Sequence, residues 1–370
     1  MKLTIPRSAL AHVVTSASRA LPHRPPIPVL AGLLLKAADN QLAVSAFDYD
    51  TSMTAATGAA AIGEPGQVLV SGRLLADIVK SLRTADVTLH TEGVRLLVES
   101  GSARFTLHTL PLEEYPTLPL TPAVSGTVNA TAFAEAVAKV TVACAADDTL
   151  PVLTGVRLAL EGEELLLSAT DRYRFAVQSL PWEPFSGDAT ATALVPGSSL
   201  LDITKALPEA GNVSLALPSD AGMVGVTADN LRATTRCLEG DLPQHKKLFP
   251  DEFPSEVTVD TSELVAAVKR VALVLERNTP VTLAFLGTSL TLTGGTSDDA
   301  SAEDRIACEL DGAPVDISFN PAFLLDGLAT IGAKQARISI SAPTKPALLR
   351  AAGEPDNTGK YLIMPVRMSG

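Results

Sequence analysis

The chain has 370 residues, of which 46% are apolar and only 4% aromatic. This length exceeds one ordinary hydrophobic core, since a domain typically has roughly 100–200 residues, so two or three domains are expected. The net charge of −12 at first sight disfavours nucleic-acid binding, because phosphate-binding surfaces are usually basic.

Two further classes are excluded by local composition. No apolar run approaches the roughly 18–20 residues that cross a bilayer, and residues 1–7 lack the features of a secretory signal. A cytoplasmic protein that does not contact membranes is expected. Cys144, Cys237 and Cys308 are odd in number and far apart, so they form neither a disulfide framework nor a metal site and are expected to be buried or half-buried apolar residues.

The first 120 residues predict a mixed α+β unit. An apolar stripe over residues 7–20, with Ser8 as the expected N-cap, predicts a helix. A strand follows Pro28, and the polar turn Asp39-Asn40 separates it from a second strand over residues 41–46. A second helix is predicted over residues 71–83, and further strands close the unit.

The same order of elements recurs twice. First helices are predicted over residues 131–146, capped by Thr131, and 262–277, capped by Ser262; second helices over 197–210 and 320–334. The first two copies are offset by 123 residues both at the helix caps and at the prolines, Pro28 and Pro151, that precede the first strand. A constant offset over this length indicates internal repetition.

Pro-rich segments over residues 115–122 and 249–254 separate the copies. The expected domains are residues 1–120, 124–249 and 255–370. The predicted fold class is α+β, with three tandem copies of a domain built from two helices and antiparallel sheet.

No catalytic constellation accompanies this architecture. The chain has no GxxxxGK[ST] loop, GxGxxG turn, GxSxG elbow or HExxH helix, and its five histidines lack metal-ligand spacing. Asp48-x-Asp50 and Asp147-Asp148 are interpreted as polar loops rather than as a metal loop or an acid–base pair. Neither a cofactor nor a metal is expected.

The charges are distributed unevenly. The six predicted helices contain eleven Lys or Arg and seven Asp or Glu, whereas the rest of the chain is strongly acidic. If the repeats place the helices along one wall, that wall attracts phosphates without reading base sequence. The alternative is that these are ordinary solvated helix faces.

Three segments resemble a known family: Pro151-Val-Leu-Thr-Gly-Val-Arg157, Ala169-Thr-Asp-Arg-Tyr-Arg-Phe-Ala-Val177 and Tyr361-Leu-Ile-Met-Pro-Val-Arg-Met368. Together with the triplication they are similar, over the whole chain, to the bacterial DNA polymerase III β subunit, the sliding clamp family, in its high-GC Gram-positive form. The resemblance implies a non-catalytic processivity factor. It also implies a head-to-tail homodimer forming a six-domain ring, with helices lining the hole, that encircles duplex DNA without sequence specificity.

The resemblance further implies one peptide-binding pocket between the second and third domains. Its expected partners are short motifs of the replicative polymerase α subunit, the clamp loader δ subunit and other clamp-motif proteins, including repair proteins. Apolar walls would receive Leu or Phe anchors, while Arg174 and Arg367 would bind polar groups. Alternatively, Leu153 and Met364 are core residues and the last strand is an ordinary edge. The implied pocket residues are Leu153, Thr170, Arg172, Tyr173, Arg174, Phe175, Pro243, Leu248, Leu362, Met364, Pro365, Val366 and Arg367.

Residues expected to face DNA and to form the dimer are also suggested. Arg24 corresponds to a DNA-facing arginine of the family, and the other candidates are chosen by charge: Arg73, Lys80, Lys139, Lys205, Lys269 and Arg270. Phe105, Leu273 and Val274 correspond to apolar dimer positions, although Phe105 is equally compatible with the core of a strand.

Departures from the family pattern leave alternatives open. Phe175 stands where the family usually has Leu, and Ala146 and Pro151-Val152 stand where relatives carry DNA-contacting Arg and Tyr residues. The change at Phe175 would suit a second, specialised clamp whose pocket evades a pocket-binding inhibitor. A peptide-binding repeat scaffold that does not bind DNA is the other alternative.

Overall fold

The structure is a computed structural model, and it describes residues 1–185, 191–218, 222–243, 252–276, 279–295, 300–353 and 359–367. One succession of elements occurs three times in these residues: a strand, a helix, five strands, a helix and three strands.

In the first copy the elements are β1 (Lys2–Pro6), α1 (Arg7–Ser18), β2 (Gly32–Ala38), β3 (Gln41–Phe47), β4 (Thr51–Thr57), β5 (Ala61–Glu64), β6 (Gly66–Ser71), α2 (Gly72–Ser81), β7 (Asp86–Glu92), β8 (Arg95–Ser100) and β9 (Ala103–His108). In the second they are β10 (Gly126–Asn129), α3 (Ala130–Thr141), β11 (Gly155–Glu161), β12 (Glu164–Thr170), β13 (Arg174–Pro181), β14 (Glu183–Pro184), β15 (Thr192–Pro196), α4 (Gly197–Thr204), β16 (Asn212–Ala216), β17 (Met223–Ala228) and β18 (Leu231–Arg236). In the third they are β19 (Ser255–Asp260), α5 (Thr261–Val271), β20 (Val281–Leu286), β21 (Ser289–Gly295), β22 (Ser301–Ala307), β23 (Glu309–Gly312), β24 (Val315–Phe319), α6 (Pro321–Ile331), β25 (Gln335–Ile340), β26 (Ala347–Ala351) and β27 (Gly359–Ile363).

The predicted triplication and α+β class are therefore confirmed, but the first element of each copy was missed. Each copy begins with a strand, β1, β10 or β19, which runs directly into the first helix. These strands have four to six residues and no turn separates them from the helix. The sequence therefore has no turn residues between strand and helix that would mark where the strand ends.

The predicted helix caps were wrong. Ser8, Thr131 and Ser262 lie inside the first turn. The side chain of Asp260 instead accepts hydrogen bonds from the backbone N–H groups of Ser262 and Glu263, and Asn129 accepts from Ala132. In the second and third copies, a short polar residue at the strand-to-helix junction therefore accepts from free helical donors.

The predicted helices were also too long. The first helices end at Ser18, Thr141 and Val271, and α4 ends at Thr204, so residues such as Arg19, Lys205 and Lys334 lie beyond the helices. Apolar periodicity continued past the ends of α1 to α4 because the turns that follow them also bury apolar side chains.

The chain packs as two compact units, residues 1–134 with 182–238 and residues 135–181 with 239–370. In the first unit, one sheet has the order β5-β1-β7-β8-β9 and another the order β14-β10-β16-β17-β18-β4-β3-β2-β6. In the second unit, one sheet contains β11-β12-β13-β27-β26-β25-β19-β23 and the other β22-β21-β20-β24, in these orders. All these pairings are antiparallel.

Two of the sheets run across copy boundaries. Strand β4 of the first copy pairs with β18 of the second, Leu231 opposite Ala55, and β13 of the second copy pairs with β27 of the third, Phe175 opposite Leu362. Backbone ladders thus join neighbouring copies, and the compact units do not follow the predicted domain boundaries, which remain a prediction.

Helix α6 covers one face of the sheet that contains β13 and β27. The buried ring of Tyr361 lies against Gly327 of α6, where an added Cβ would approach the ring to 2.5 Å, and its hydroxyl donates to the carbonyl of Phe323 at 2.9 Å. Successive residues of a strand point to opposite faces. Leu362, next along β27, therefore faces away from α6.

No helix in the described residues is long and apolar enough to cross a membrane. The three cysteines are free, Cys308 buried and the other two half-buried, which confirms their expected burial.

These thiols are expected to react slowly in the folded protein. Burial raises the pKa of Cys144 to about 12 and also raises those of Cys237 and Cys308, which removes the reactive thiolate. Iodoacetamide at pH 8 should alkylate native Cys144 at least roughly a hundredfold more slowly than in the urea-unfolded chain, as followed by peptide mass spectrometry. Equal rates in the two states would contradict this burial.

Candidate functional site

A tight turn between β12 and β13 organises the site. The carboxylate of Asp171 accepts from the backbone N–H groups of Tyr173 and Arg174, both at 3.0 Å. Buried Thr170 donates to the carbonyl of Arg174 at 2.6 Å and accepts from the N–H of Arg172. Arg172 has φ 81°, a left-handed conformation that is costly for a residue with a Cβ. The turn holds Tyr173 outward and Arg174 inward.

Arg174 joins the second copy to the third. Its side chain is 10% exposed and pairs with Asp171 at 2.9 Å and with Asp326 of α6. Its guanidinium also lies 4.4 Å from the centre of the Phe323 ring. Burial by itself lowers the arginine pKa, but Tyr361 and the two carboxylates outweigh it and raise that pKa above its usual range. Two carboxylates already occupy this guanidinium, so a partner's carboxylate would have to displace one of them.

An exposed apolar rim lies beside this network. Tyr173 is 58% exposed and Met364 42% exposed, and the Met364 N–H donates to the Tyr173 carbonyl at 2.8 Å. The Tyr173 ring stacks on Phe323 with ring centroids 6.1 Å apart. The sequence analysis did not identify Phe323 as a site residue. Its place in the first turn of α6, three residues after the Asn320 N-cap, was the signal available for the direction of its side chain.

A buried apolar cluster lies next to the rim, on the face of the sheet that turns away from α6. Phe175, Leu362 and Leu348 form one row across β13, β27 and β26, because Leu362 is paired with both neighbours. These three side chains are 3–5% exposed, and Phe253 packs against the cluster to which they belong. The other members of the cluster are Ala159, Leu166 and Val177.

The segment between the second and third copies borders this face. Asp241 pairs with Arg157 of β11 at 3.1 Å, Leu242 is buried, and Pro243 is exposed. Leu248, the other pocket residue predicted in this segment, lies outside the described residues.

Most of the predicted pocket residues therefore lie on one sheet and at its edge, but their exposure differs from expectation. Phe175, Thr170 and Leu362 are buried, whereas Arg172, Tyr173, Met364 and Arg367 are exposed. The presence of Phe at position 175, where the family usually has Leu, therefore changes a buried side chain of the cluster and not an exposed wall of a pocket. Three further pocket residues, Leu153, Pro365 and Val366, are half-buried. The Leu153 carbonyl accepts from the N–H of Ala145, and the N–H of Val366 donates to the carbonyl of Ser318.

The predicted DNA-facing residues fall into two groups. Arg270 pairs with Asp304 of β22 at 2.6 Å and Lys205 lies 3.8 Å from Asp202, so their charges are partly neutralised, and Lys139 is half-buried. Arg73 donates to the carbonyls of Pro22 and His23 and so holds the loop of exposed Arg24. Of the predicted DNA-facing residues, Arg24, Arg73, Lys80 and Lys269 are exposed and form no salt bridge with the described residues.

Because the observed helices are shorter than predicted, they carry a smaller excess of positive charge than the sequence analysis expected. Within their observed bounds they retain six Lys or Arg and five Asp or Glu. The excess of positive charge lies largely in the turns that follow the helices, as at Arg19, Arg83 and Lys334.

One predicted dimer residue, Phe105, lies in the first unit, and the other two, Leu273 and Val274, lie in the second. Phe105 is half-buried on β9, the last strand of its sheet. Leu273 is 84% exposed and half-buried Val274 follows it, in a 3-10 turn just after α5. Strand β22, at the edge of the smaller sheet of the second unit, is largely exposed.

Comparison with known proteins accounts for all three copies. Residues 1–119, 127–244 and 246–367 match the N-terminal, central and C-terminal domains of the DNA polymerase III beta subunit, respectively. The chain is 52% identical to the beta sliding clamp of Streptomyces coelicolor, with both chains fully covered. It is 42% identical to the beta sliding clamp homolog GriR of Streptomyces muensis, with 99% of each covered.

Solved structures agree with this assignment. The chain is similar to the DNA polymerase sliding clamp of Bacillus subtilis, with a TM-score of 0.90 at 27% identity and full coverage of both chains. It is also similar to a sliding clamp of Pseudomonas aeruginosa bound to griselimycin, with a TM-score of 0.91 at 27% identity and full coverage of both. The chain belongs to the DNA polymerase III beta subunit family, the bacterial sliding clamps.

Proposed function

We propose that this protein is the processivity clamp of a replicative DNA polymerase, acting as a homodimeric ring that encircles duplex DNA without reading its sequence. Its role is tethering rather than catalysis. The match of three family domains to three successive copies of one fold carries this proposal.

The proposed contact with DNA is electrostatic. Exposed Arg24, Arg73, Lys80 and Lys269 supply cations that attract phosphates without base recognition. The acidic balance of the remaining surface, within a net charge of −12, disfavours DNA elsewhere on the protein.

The proposed dimer contact is head-to-tail. Strand β9 with Phe105 would meet strand β22 and Leu273 of a second copy, since edge strands offer unpaired backbone groups. An exposed leucine such as Leu273 is the kind of apolar group that subunit contacts bury.

The proposed partner site is the rim of Tyr173, Phe323 and Met364 together with the apolar cluster around Phe175. Apolar anchors of a short motif would dock on these side chains. The partners we propose are the polymerase α subunit, the clamp loader δ subunit and other proteins that carry clamp-binding motifs. Exposed Arg367 is better placed than Arg174 to meet polar groups of the motif.

A second, specialised clamp is the alternative. The higher identity to the Streptomyces coelicolor clamp, 52%, than to the homolog GriR, 42%, favours the replicative role. The peptide-binding scaffold that does not bind DNA is disfavoured by the match along the whole chain.

Replacing Met364 with alanine should weaken the binding of a fluorescent Gln-Leu-x-Leu-Phe peptide about tenfold, because an anchor contact typically contributes more than ~1 kcal/mol to the binding free energy. Fluorescence anisotropy measures the affinity. Val94→Ala is the matched control, since Val94 is an exposed apolar residue of the first unit, and it should bind like wild type. Equal affinity of the Met364 variant and wild type would remove this site.

A further inference from the structure

The apolar cluster of the partner site is covered by a residue of the same chain. Phe253 packs against the cluster that contains Phe175, Leu362 and Leu348, on the face of the sheet opposite the one where Tyr361 contacts α6. Phe253 therefore supplies part of the cover that leaves these side chains only 3–5% exposed.

Phe253 is held near the cluster but is not locked into it. Two residues later Ser255 begins β19 and donates to the carbonyl of Ala313 at 2.9 Å, which fixes the chain on that side. The Phe253 side chain itself is only half-buried, so its docking gains less than the full burial of a phenyl ring. A contact of this kind exchanges readily with a competing apolar group.

We propose that Phe253 is an internal ligand of the partner site. It rests where the apolar anchor of a partner's motif docks, and the partner must displace it. This inference depends on the proposed function of the site. It implies that the surface vacated by Phe253 favours partners with an aromatic anchor, and that the chain limits its own affinity, since a site open only part of the time binds with proportionally weaker apparent affinity.

Removing the internal ligand should therefore strengthen binding. If Phe253 occupies the site in roughly nine molecules of ten, Phe253→Ala will bind a fluorescent Gln-Leu-x-Leu-Phe peptide about tenfold more tightly than wild type. Phe185→Ala, which removes an aromatic ring that is 67% exposed in the first unit, is the control and should match wild type. Unchanged or weaker binding by Phe253→Ala overturns the proposal, because Phe253 would then be a wall of the site.

A second measurement follows Phe253 directly in the otherwise unaltered chain. With 4-fluorophenylalanine at position 253, saturation with the same peptide should move the fluorine resonance toward that of the urea-unfolded protein. A resonance that stays in place while the peptide binds overturns the proposal. Failure of wild type and of every variant to bind the peptide would instead overturn the proposed function, and this inference with it.

Discussion

Arg174→Met is expected to lower the free energy of unfolding by about 3 kcal/mol, because it leaves the carboxylate of Asp171 without its counter-ion. Asp171 and Arg174 are each 10% exposed, so water does not replace the lost partner. The N–H groups of Tyr173 and Arg174 still donate to Asp171, which places the effect at the lower end of the usual range for breaking a buried pair. Asp326 is 46% exposed and contributes less. Urea denaturation measures the change.

A surface arginine provides the comparison. Arg305 is 67% exposed and lies 3.5 Å from Glu303, and exposed pairs contribute ~0–1 kcal/mol, so Arg305→Met should be nearly neutral. If the two variants were equally stable, Arg174 would not join the second copy to the third as described. A stable Arg174→Met that only lost peptide binding would restore the sequence-based interpretation that Arg174 contacts the motif.

Leu273→Asp is expected to convert the proposed dimer into monomers at micromolar concentration. The leucine is 84% exposed on one chain, and a carboxylate buried there by a second copy would pay a large desolvation penalty. Sedimentation velocity distinguishes the two species. A wild-type protein that sediments as a monomer would contradict the dimer itself.

The control must change an equally exposed leucine elsewhere. Leu120 is 90% exposed in the segment after the first copy, and Leu120→Asp should remain dimeric. If Leu273→Asp also remained dimeric, the contact would have to lie elsewhere on the two units.

The order of elements was predictable because it repeats. Apolar periodicity and a constant offset located all six helices, but the short strands β1, β10 and β19 were missed because they join the helices without a turn. The caps were misplaced for the same reason: Asp260 and Asn129 each stand at a strand-to-helix junction that the sequence pattern did not reveal.

The site was predictable only in part. The resemblance brought the residues of β13 and β27 together, and the structure confirms that these strands are neighbours. Sequence could not show that Arg174 turns toward α6, that Arg270 turns toward Asp304, or that Phe253 packs against the cluster around Phe175. Each of these depends on side-chain direction and on contacts between residues distant in sequence, which local periodicity does not specify.

The proposal that this chain is a ring around DNA is tested most directly by its retention on circular DNA. The protein is loaded by a bacterial clamp loader and ATP onto nicked circular duplex, isolated by gel filtration, and the DNA is then cut once with a restriction enzyme. Topological linkage predicts that the protein co-elutes with the circle and is released when the DNA becomes linear. Equal retention on circular and linear DNA would contradict the ring, because it would show that the protein binds DNA by surface contact alone.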